Sequence, residues 1–184
     1  GVQTCALPIF DDLVRAGKVR VLGASNFTAP RLEAALAIST RNGLARYECL
    51  QPHYNLVQRE DFETTLAPLC ARETLGVIPY FALASGFLTG KYRSTADLGK
   101  SPRGARMGAM LDARGLRILA ALDLVSRAHG TTPACVAIAW LIARGVTAPI
   151  ASATNVEQLR EILSGATLDL TSEEVAALNR ASAN

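Results

Sequence analysis

The stretch GKVRVLGASNF, residues 17–27, decides the fold class. Its β-branched, apolar residues 19–25 predict a strand, and residues 26–28 predict a loop. Pro30 then suits the first turn of a helix over residues 30–41, and Gly43 lies where such a helix would end. A strand followed at once by an amphipathic helix predicts a βα unit, the building block of parallel sheets.

The same alternation recurs along the chain. Three further strands are predicted over residues 46–51, 77–81 and 146–150. Further helices are predicted over residues 59–74, 111–129, 133–143 and 155–163. The first of these is predicted to be split by Pro68 and to end at Gly76. A last helix is predicted to follow a capping box, in which Thr171 is the N-cap and the Glu174 side chain bonds back to the N-cap backbone. No strand is followed by Gly-x-Gly-x-x-Gly, the dinucleotide fingerprint of doubly wound sheets. Four parallel strands favour half of a (β/α)8 barrel, which needs eight.

Composition excludes several classes of protein. Hydrophobic residues make up 49% of the 184 residues, as in a globular domain, and the net charge of +3 is too small to argue for nucleic acid or a membrane surface. The four cysteines lack metal-ligand spacing, so we expect buried free thiols, no metal site and a cytoplasmic protein, with its oligomeric state open.

The first nine residues, GVQTCALPI, fit no element of this pattern. They lack the basic start of a signal peptide. Their codons can be written as a string that resembles a widely used sequencing adapter. We therefore expect residues 1–9 to be a non-native leader and residues 10–184 to be the partial barrel.

Ligands of a parallel barrel bind where strands end and loops begin. Polar groups suited to an amide-bearing ring such as nicotinamide follow the first two strands, at Ser25, Asn26 and Gln51. Tyr80 can stack on a flat ring. Small residues at positions 82, 84 and 86 allow close approach of a phosphate, while Lys91 and Arg106 lie on a long loop (residues 82–110). The helix beginning at Asn155 offers its N-terminus to a further anion.

Groups for acid–base catalysis are not evident at these strand ends. His53 could be one, although a structural histidine is the preferred interpretation. His129 precedes the glycine that ends a helix, which favours helix capping. The residues at the strand ends are therefore predicted to bind a ligand, and none of them is predicted to catalyse its conversion.

Four ordered motifs resemble the C-terminal half of the aldo-keto reductases, in the bacterial branch related to potassium-channel β subunits. The motifs are GKVRVLGASNF, LQPHYNL, GVIPYFALASGFLTGKY and TPACVAIAWLI. The resemblance implies strands five to eight of a (β/α)8 TIM barrel that reduces aldehydes and ketones with NADP(H). It also implies roles for the cofactor-binding residues. These are Ser25, Asn26 and Gln51 (carboxamide), Tyr80 (ring stacking), Phe81, Leu83, Ala84 and Ser85 (pyrophosphate), Lys91 and Arg106 (closure), and Ser152, Thr154, Gln158 and Glu161 (adenosine end).

This chain departs from the family pattern at several of these positions. Phe81 and Ala82 replace a usual Ser-Pro, Ser152 replaces Gly, and Ile162 replaces Asn. Thr154 stands where many relatives have Arg, which leaves NAD(H) open beside NADP(H). The catalytic Asp, Tyr, Lys and His of the family come from the first half of the barrel. The chain alone is therefore expected neither to turn over substrate nor to bind the cofactor tightly. Alternatives are an NADP(H)-binding, redox-sensing regulator resembling channel β subunits and a half barrel that dimerises.

Overall fold

The computed structural model describes residues 2–100 and 104–184; the side chains of residues 2–5, 105 and 106 lie outside that description. The chain divides into two compact units. Unit 1 comprises Gly1–His53 and Glu60–Ile78, and unit 2 comprises Tyr54–Arg59 and Pro79–Asn184.

Unit 1 contains a parallel three-stranded sheet in the order β1-β2-β3. Its elements are α1 (Val2–Arg15), β1 (Leu22–Ser25), α2 (Ala29–Asn42), β2 (Tyr47–Gln51), a π-helical turn (Phe62–Leu66), α3 (Ala67–Arg72) and β3 (Gly76–Val77). The predicted α/β class is confirmed by this parallel pairing. The register shifts between Leu22 and Gly23, where a side chain at Gly23 would lie 2.8 Å from the Cys49 Sγ. Glycine therefore permits the close approach of β1 and β2.

A buried carboxylate fixes α1 to the loop after α2 within unit 1. Asp11 accepts hydrogen bonds from the Arg15 guanidinium and, at 2.7 Å, from the Ala45 N–H. These two bonds, Arg15 first, hold the pKa of Asp11 below its usual value. Arg15 also donates to the Gly43 carbonyl at 3.0 Å, and Gly43 ends α2 in the left-handed conformation. The predicted end of α2 at Gly43 is thus confirmed, whereas the origin of residues 1–9 stays a prediction.

Unit 2 is helical. Three 3₁₀ helices lie near the beginning of its longer segment, Pro79–Asn184. They span Ala84–Thr89, Thr95–Lys100 and Gly104–Met110 and occupy the predicted long loop. Four α-helices follow: α4 (Ala113–Ala128), α5 (Pro133–Ala143), α6 (Val156–Ser164) and α7 (Ser172–Ala181). Residues 134–141 of α5 are all buried, which makes this helix the centre of the core. None of the helices in the described ranges combines the length and apolarity needed to span a membrane.

The first strand was predicted over residues 19–25 but begins only at Leu22. Three further predictions are wrong, and prolines explain two of them. Residues 77–81 are not a five-residue strand: β3 ends at Val77 because Pro79 has no N–H to donate. Residues 146–150 form no strand: Pro149 lacks a donor, and Ile150 exchanges backbone hydrogen bonds with Pro79 and Ala82. Gly76 lies in β3 instead of ending the preceding helix, which ends at Arg72.

The helical stretch after residue 59 consists of two elements, as predicted: a π-helical turn ends at Leu66, and Pro68 lies in the first turn of α3. The two elements follow each other without a break, so helical conformation continues from Glu60 to Arg72. The described cysteines are free thiols; Cys70 and Cys135 are buried and Cys49 is half-buried. Burial raises the pKa of Cys70 to about 11, as in an inert structural thiol.

Candidate functional site

The polar residues predicted in unit 1 lie at the carboxyl ends of neighbouring strands. Ser25 of β1 is the register partner of Gln51 of β2. Its Oγ donates to the backbone O and the side-chain Oε1 of Gln51, at 3.3 Å in each case. Asn26 follows directly with a φ of 56°. The structure therefore brings this group together at one edge of the sheet. His53 lies two residues beyond Gln51, and partial burial lowers its pKa despite the nearby Asp61.

Unit 2 contains a cavity of about 640 Å³. This volume falls within the usual range for small-molecule sites. Three parts of unit 2 line the cavity: residues 80–91, the beginning of α5, and residues 150–162, which include most of α6. The lining residues are Tyr80, Phe81, Ala82, Leu83, Ser85, Gly86, Thr89, Lys91, Ala134, Ile150, Ala151, Ser152, Thr154, Gln158, Glu161 and Ile162. Most predicted binding residues of unit 2 thus line one cavity. Ala84 is buried and does not line it. Arg106 belongs to the helix Gly104–Met110, but its side chain lies outside the described part.

Residues 81–86, which we call the left-handed turn, form one wall of this cavity. Phe81, Ala84 and Ser85 have φ values of 56°, 48° and 57°, and Gly86 has a φ of 100°. A non-glycine residue in this region costs on the order of 1–3 kcal/mol, and such strain is concentrated at functional sites. The N–H groups of Ala82, Ala84 and Gly86 donate to the carbonyls of Ile150, Phe81 and Leu83. A turn of this kind can present its other N–H groups to an anion.

Two aromatic rings stand at the start of the left-handed turn. Tyr80 and Phe81 contact each other edge to face, with ring centroids 5.3 Å apart. Phe81 is 51% exposed although it is a large apolar residue. An exposed aromatic pair beside a cavity offers a surface on which a flat ring can pack.

Lys91 brings a positive charge to the left-handed turn. A Cβ at Gly86 would lie 3.6 Å from the Lys91 Nζ, so the ammonium group lies close to the backbone of the turn. It also lies 5.1 Å from the centre of the Tyr92 ring. Backbone N–H groups with an adjacent lysine form a typical binding environment for a phosphate.

Another part of the cavity lining lies around the beginning of α6. Asn155 caps this helix by accepting the Gln158 N–H at 2.8 Å, as its predicted position requires. Gln158 Oε1 in turn accepts hydrogen bonds from the N–H and the hydroxyl of Thr154, both at 2.9 Å. Thr154 and Gln158 therefore form a preorganised polar pair, with Ser152 and Glu161 also in the lining. Among the residues that the structure describes, the charged side chains in the cavity lining are Lys91 and Glu161.

One residue of this site was not found from the sequence. Asn55 is 1% exposed, and its Nδ2 donates to the Phe81 carbonyl at 3.0 Å. It lies in the motif LQPHYNL, 26 positions before its partner. No local pattern marks such a long-range hydrogen bond.

The sequence as a whole matches the model of a known protein family. The model described as the aldo/keto reductase family matches residues 5–183. The chain belongs to the aldo/keto reductase family.

Several fungal members of the aldo/keto reductase family are similar to this chain. Aldo-keto reductase dtxS3 of Metarhizium robertsii is 32% identical over 168 residues, which cover 89% of this chain and 44% of the relative. Aldo-keto reductase AMT2 of Alternaria alternata is 30% identical over 163 residues (89% and 44%). Versiconal hemiacetal acetate reductase of Aspergillus parasiticus is 27% identical over 169 residues (90% and 49%). This aldo/keto reductase chain spans about half the length of the curated relatives it matches.

A solved structure shares the fold of this aldo/keto reductase chain. It is the thermostable aldo-keto reductase Tm1743 in complex with the inhibitor epalrestat. The TM-score is 0.75 at 24% identity, over 97% of this chain and 54% of that one. The likeness extends over almost the whole chain and shows the fold alone.

Proposed function

We propose that this chain is the dinucleotide-binding half of an aldo/keto reductase, corresponding to strands five to eight of a (β/α)8 barrel. The full-length protein would reduce aldehydes or ketones to alcohols. Nicotinamide dinucleotide, as NADP(H) by the resemblance, would supply the hydride when bound. The observation that carries the proposal is the cavity of unit 2, where an aromatic pair, the left-handed turn and Lys91 line one space.

The lining residues fit the parts of such a dinucleotide. Tyr80 offers an aromatic face for the nicotinamide ring. The ammonium of Lys91 would neutralise part of the charge of a diphosphate, and the N–H groups of the left-handed turn that are not used within the chain would donate to it. The polar pair of Thr154 and Gln158 would bind ribose or adenine groups. Within unit 1, taken by itself, Ser25 and Gln51 form a separate group of hydrogen-bond donors and acceptors.

We also propose that the chain alone does not catalyse the reaction. The general acid of the family belongs to the half of the barrel that this chain does not match. Tyr80 is assigned to stacking, and the remaining ionisable groups of the described lining, Lys91 and Glu161, are assigned to binding. A carbonyl-reduction assay on the purified chain checks this, and sustained NADPH consumption would contradict it.

The binding role is tested by a calorimetric titration with NADPH and NADH, comparing Lys91→Met with Lys18→Met. Lys18 carries the same charge but does not line the cavity. Losing one charge-assisted hydrogen bond costs about 1.5–3 kcal/mol, so Lys91→Met should weaken binding by about tenfold to a hundredfold. Lys18→Met should bind as the unaltered chain does. Equal losses in both variants, or no saturable binding at all, would contradict the proposed site.

A further inference from the structure

We propose that Asn55 is a positioning residue that holds the left-handed turn in its ligand-binding conformation, an inference that rests on the proposed function of the cavity. Its amide orientation is fixed by three hydrogen bonds. Oδ1 accepts the N–H groups of Val57 at 2.8 Å and Gln58 at 2.9 Å. Since both donors face Oδ1, the amino group is directed to the Phe81 carbonyl, 3.0 Å away.

The Phe81 carbonyl is the point at which the left-handed turn is held. It accepts the Asn55 amide and also the Ala84 N–H, at 2.7 Å, which closes the first bend of the turn. Burial of the Phe81 side chain cannot supply this restraint, because half of that side chain is exposed. A phenylalanine at a φ of 56° must be held by its surroundings. The buried Asn55 amide supplies such a restraint through the Phe81 carbonyl.

Asn55 performs two separable tasks. Its Oδ1 closes a local turn over residues 55–58, together with two backbone bonds between Asn55 and Gln58 at 3.1 Å. Its Nδ2 restrains the cavity wall. A serine at position 55 can still accept the local N–H groups, as in an ST-turn, but is too short to reach Phe81. Asn55→Ser therefore removes the second task and keeps the first.

The test measures dinucleotide affinity and the conformation of Phe81 in the 184-residue chain. Asn55→Ser should raise the Kd for NADPH by about tenfold, the loss that follows from one hydrogen bond. The three-bond HN–Hα coupling and the Cα shift of Phe81 should change at the same time. Asn42→Ser, at an exposed position, is the matched control and should change neither quantity.

A rescue experiment separates positioning from general structural damage. Glycine adopts positive φ without strain, so a Phe81→Gly chain should need Asn55 much less. In that background Asn55→Ser should raise the Kd by clearly less than it does in the unaltered chain. An equal loss in both backgrounds, with an unchanged Phe81 coupling in the single variant, would overturn the proposal. If Asn55→Ser does not fold, Asn55→Thr serves, because its hydroxyl also accepts the local N–H groups and is too short to reach Phe81.

Different results would contradict the positioning role of Asn55 and the proposed function of the cavity. If the unaltered chain binds no dinucleotide, the proposed function fails. The Phe81 coupling in the Asn55→Ser chain still reports whether Asn55 holds the turn. An unchanged coupling there would overturn the positioning role by itself.

Discussion

Gly115 lies in the first turn of α4, at the place where this helix meets the end of the long loop. Its N–H donates to the Asp112 carboxylate at 2.7 Å, which caps the helix. A Cβ at this position would lie 1.7 Å from the Met110 carbonyl oxygen and 3.1 Å from the Phe87 ring. Phe87 is fully buried in the 3₁₀ helix that follows the left-handed turn. Replacing Gly115 by alanine therefore tests whether the long loop is packed on α4 as the structure shows.

The sign of this prediction opposes simple helix propensity. Alanine in place of glycine inside a helix normally stabilises it by about 1 kcal/mol. Overpacking costs about 1–3 kcal/mol, and here the obstructing atom is a backbone oxygen that cannot rotate away. We expect Gly115→Ala to lower the free energy of unfolding by about 2 kcal/mol or more. The measurement is urea denaturation followed by circular dichroism.

Gly99→Ala is the control, because a Cβ there meets no atom within 4 Å. It should change stability by no more than about 0.5 kcal/mol, as is usual for surface substitutions. A Gly115→Ala chain that is as stable as the parent, or more stable, would refute the packing of Met110 and Phe87 against α4.

Two further predictions concern α7. Burial raises the pKa of Glu174, but the Thr171 N–H and His129 outweigh it and hold the pKa below its ordinary 4.5. Glu174→Ala should lower the free energy of unfolding by about 1 kcal/mol at pH 7. Urea denaturation at several pH values should show this difference between the two chains above pH 4.5, and the difference should disappear as the pH falls through the lowered pKa. Trp140, whose Nε1 donates to the Asn179 side chain at 2.9 Å, is fully buried. Trp140→Phe should lower stability by about 2 kcal/mol by thermal denaturation, and an unchanged midpoint would contradict the role of this bond.

The helix boundaries were predictable from the sequence because their signals are local. Thr132, Asn155 and Thr171 each accept the N–H three residues onward, and the capping box at Thr171 is formed in full. The C-cap position of His129 was predicted correctly for the same reason. Such interactions depend on neighbours in the sequence and need no knowledge of the fold.

The strand lengths and the conformation of the cavity wall could not be predicted in this way. Apolar composition indicated the strands, but β3 ends at Val77, before Pro79, and residues 146–150 form no strand. The positive φ of Phe81 depends on Asn55, which is distant in the sequence. The positions of the lining residues were accessible because ligands of parallel folds collect at strand ends. Their mutual contacts, such as the pair of Thr154 and Gln158, required the structure.

The central claim is that the cavity of unit 2 binds a nicotinamide dinucleotide. The most direct measurement is a titration of the ¹⁵N-labelled chain with NADPH, followed residue by residue in amide correlation spectra. We predict saturable shifts at Ser85, Lys91, Ser152 and Gln158, which line the cavity, and none at Asp123, which does not. Absence of saturable shifts, or shifts confined to residues outside the cavity, would contradict the account.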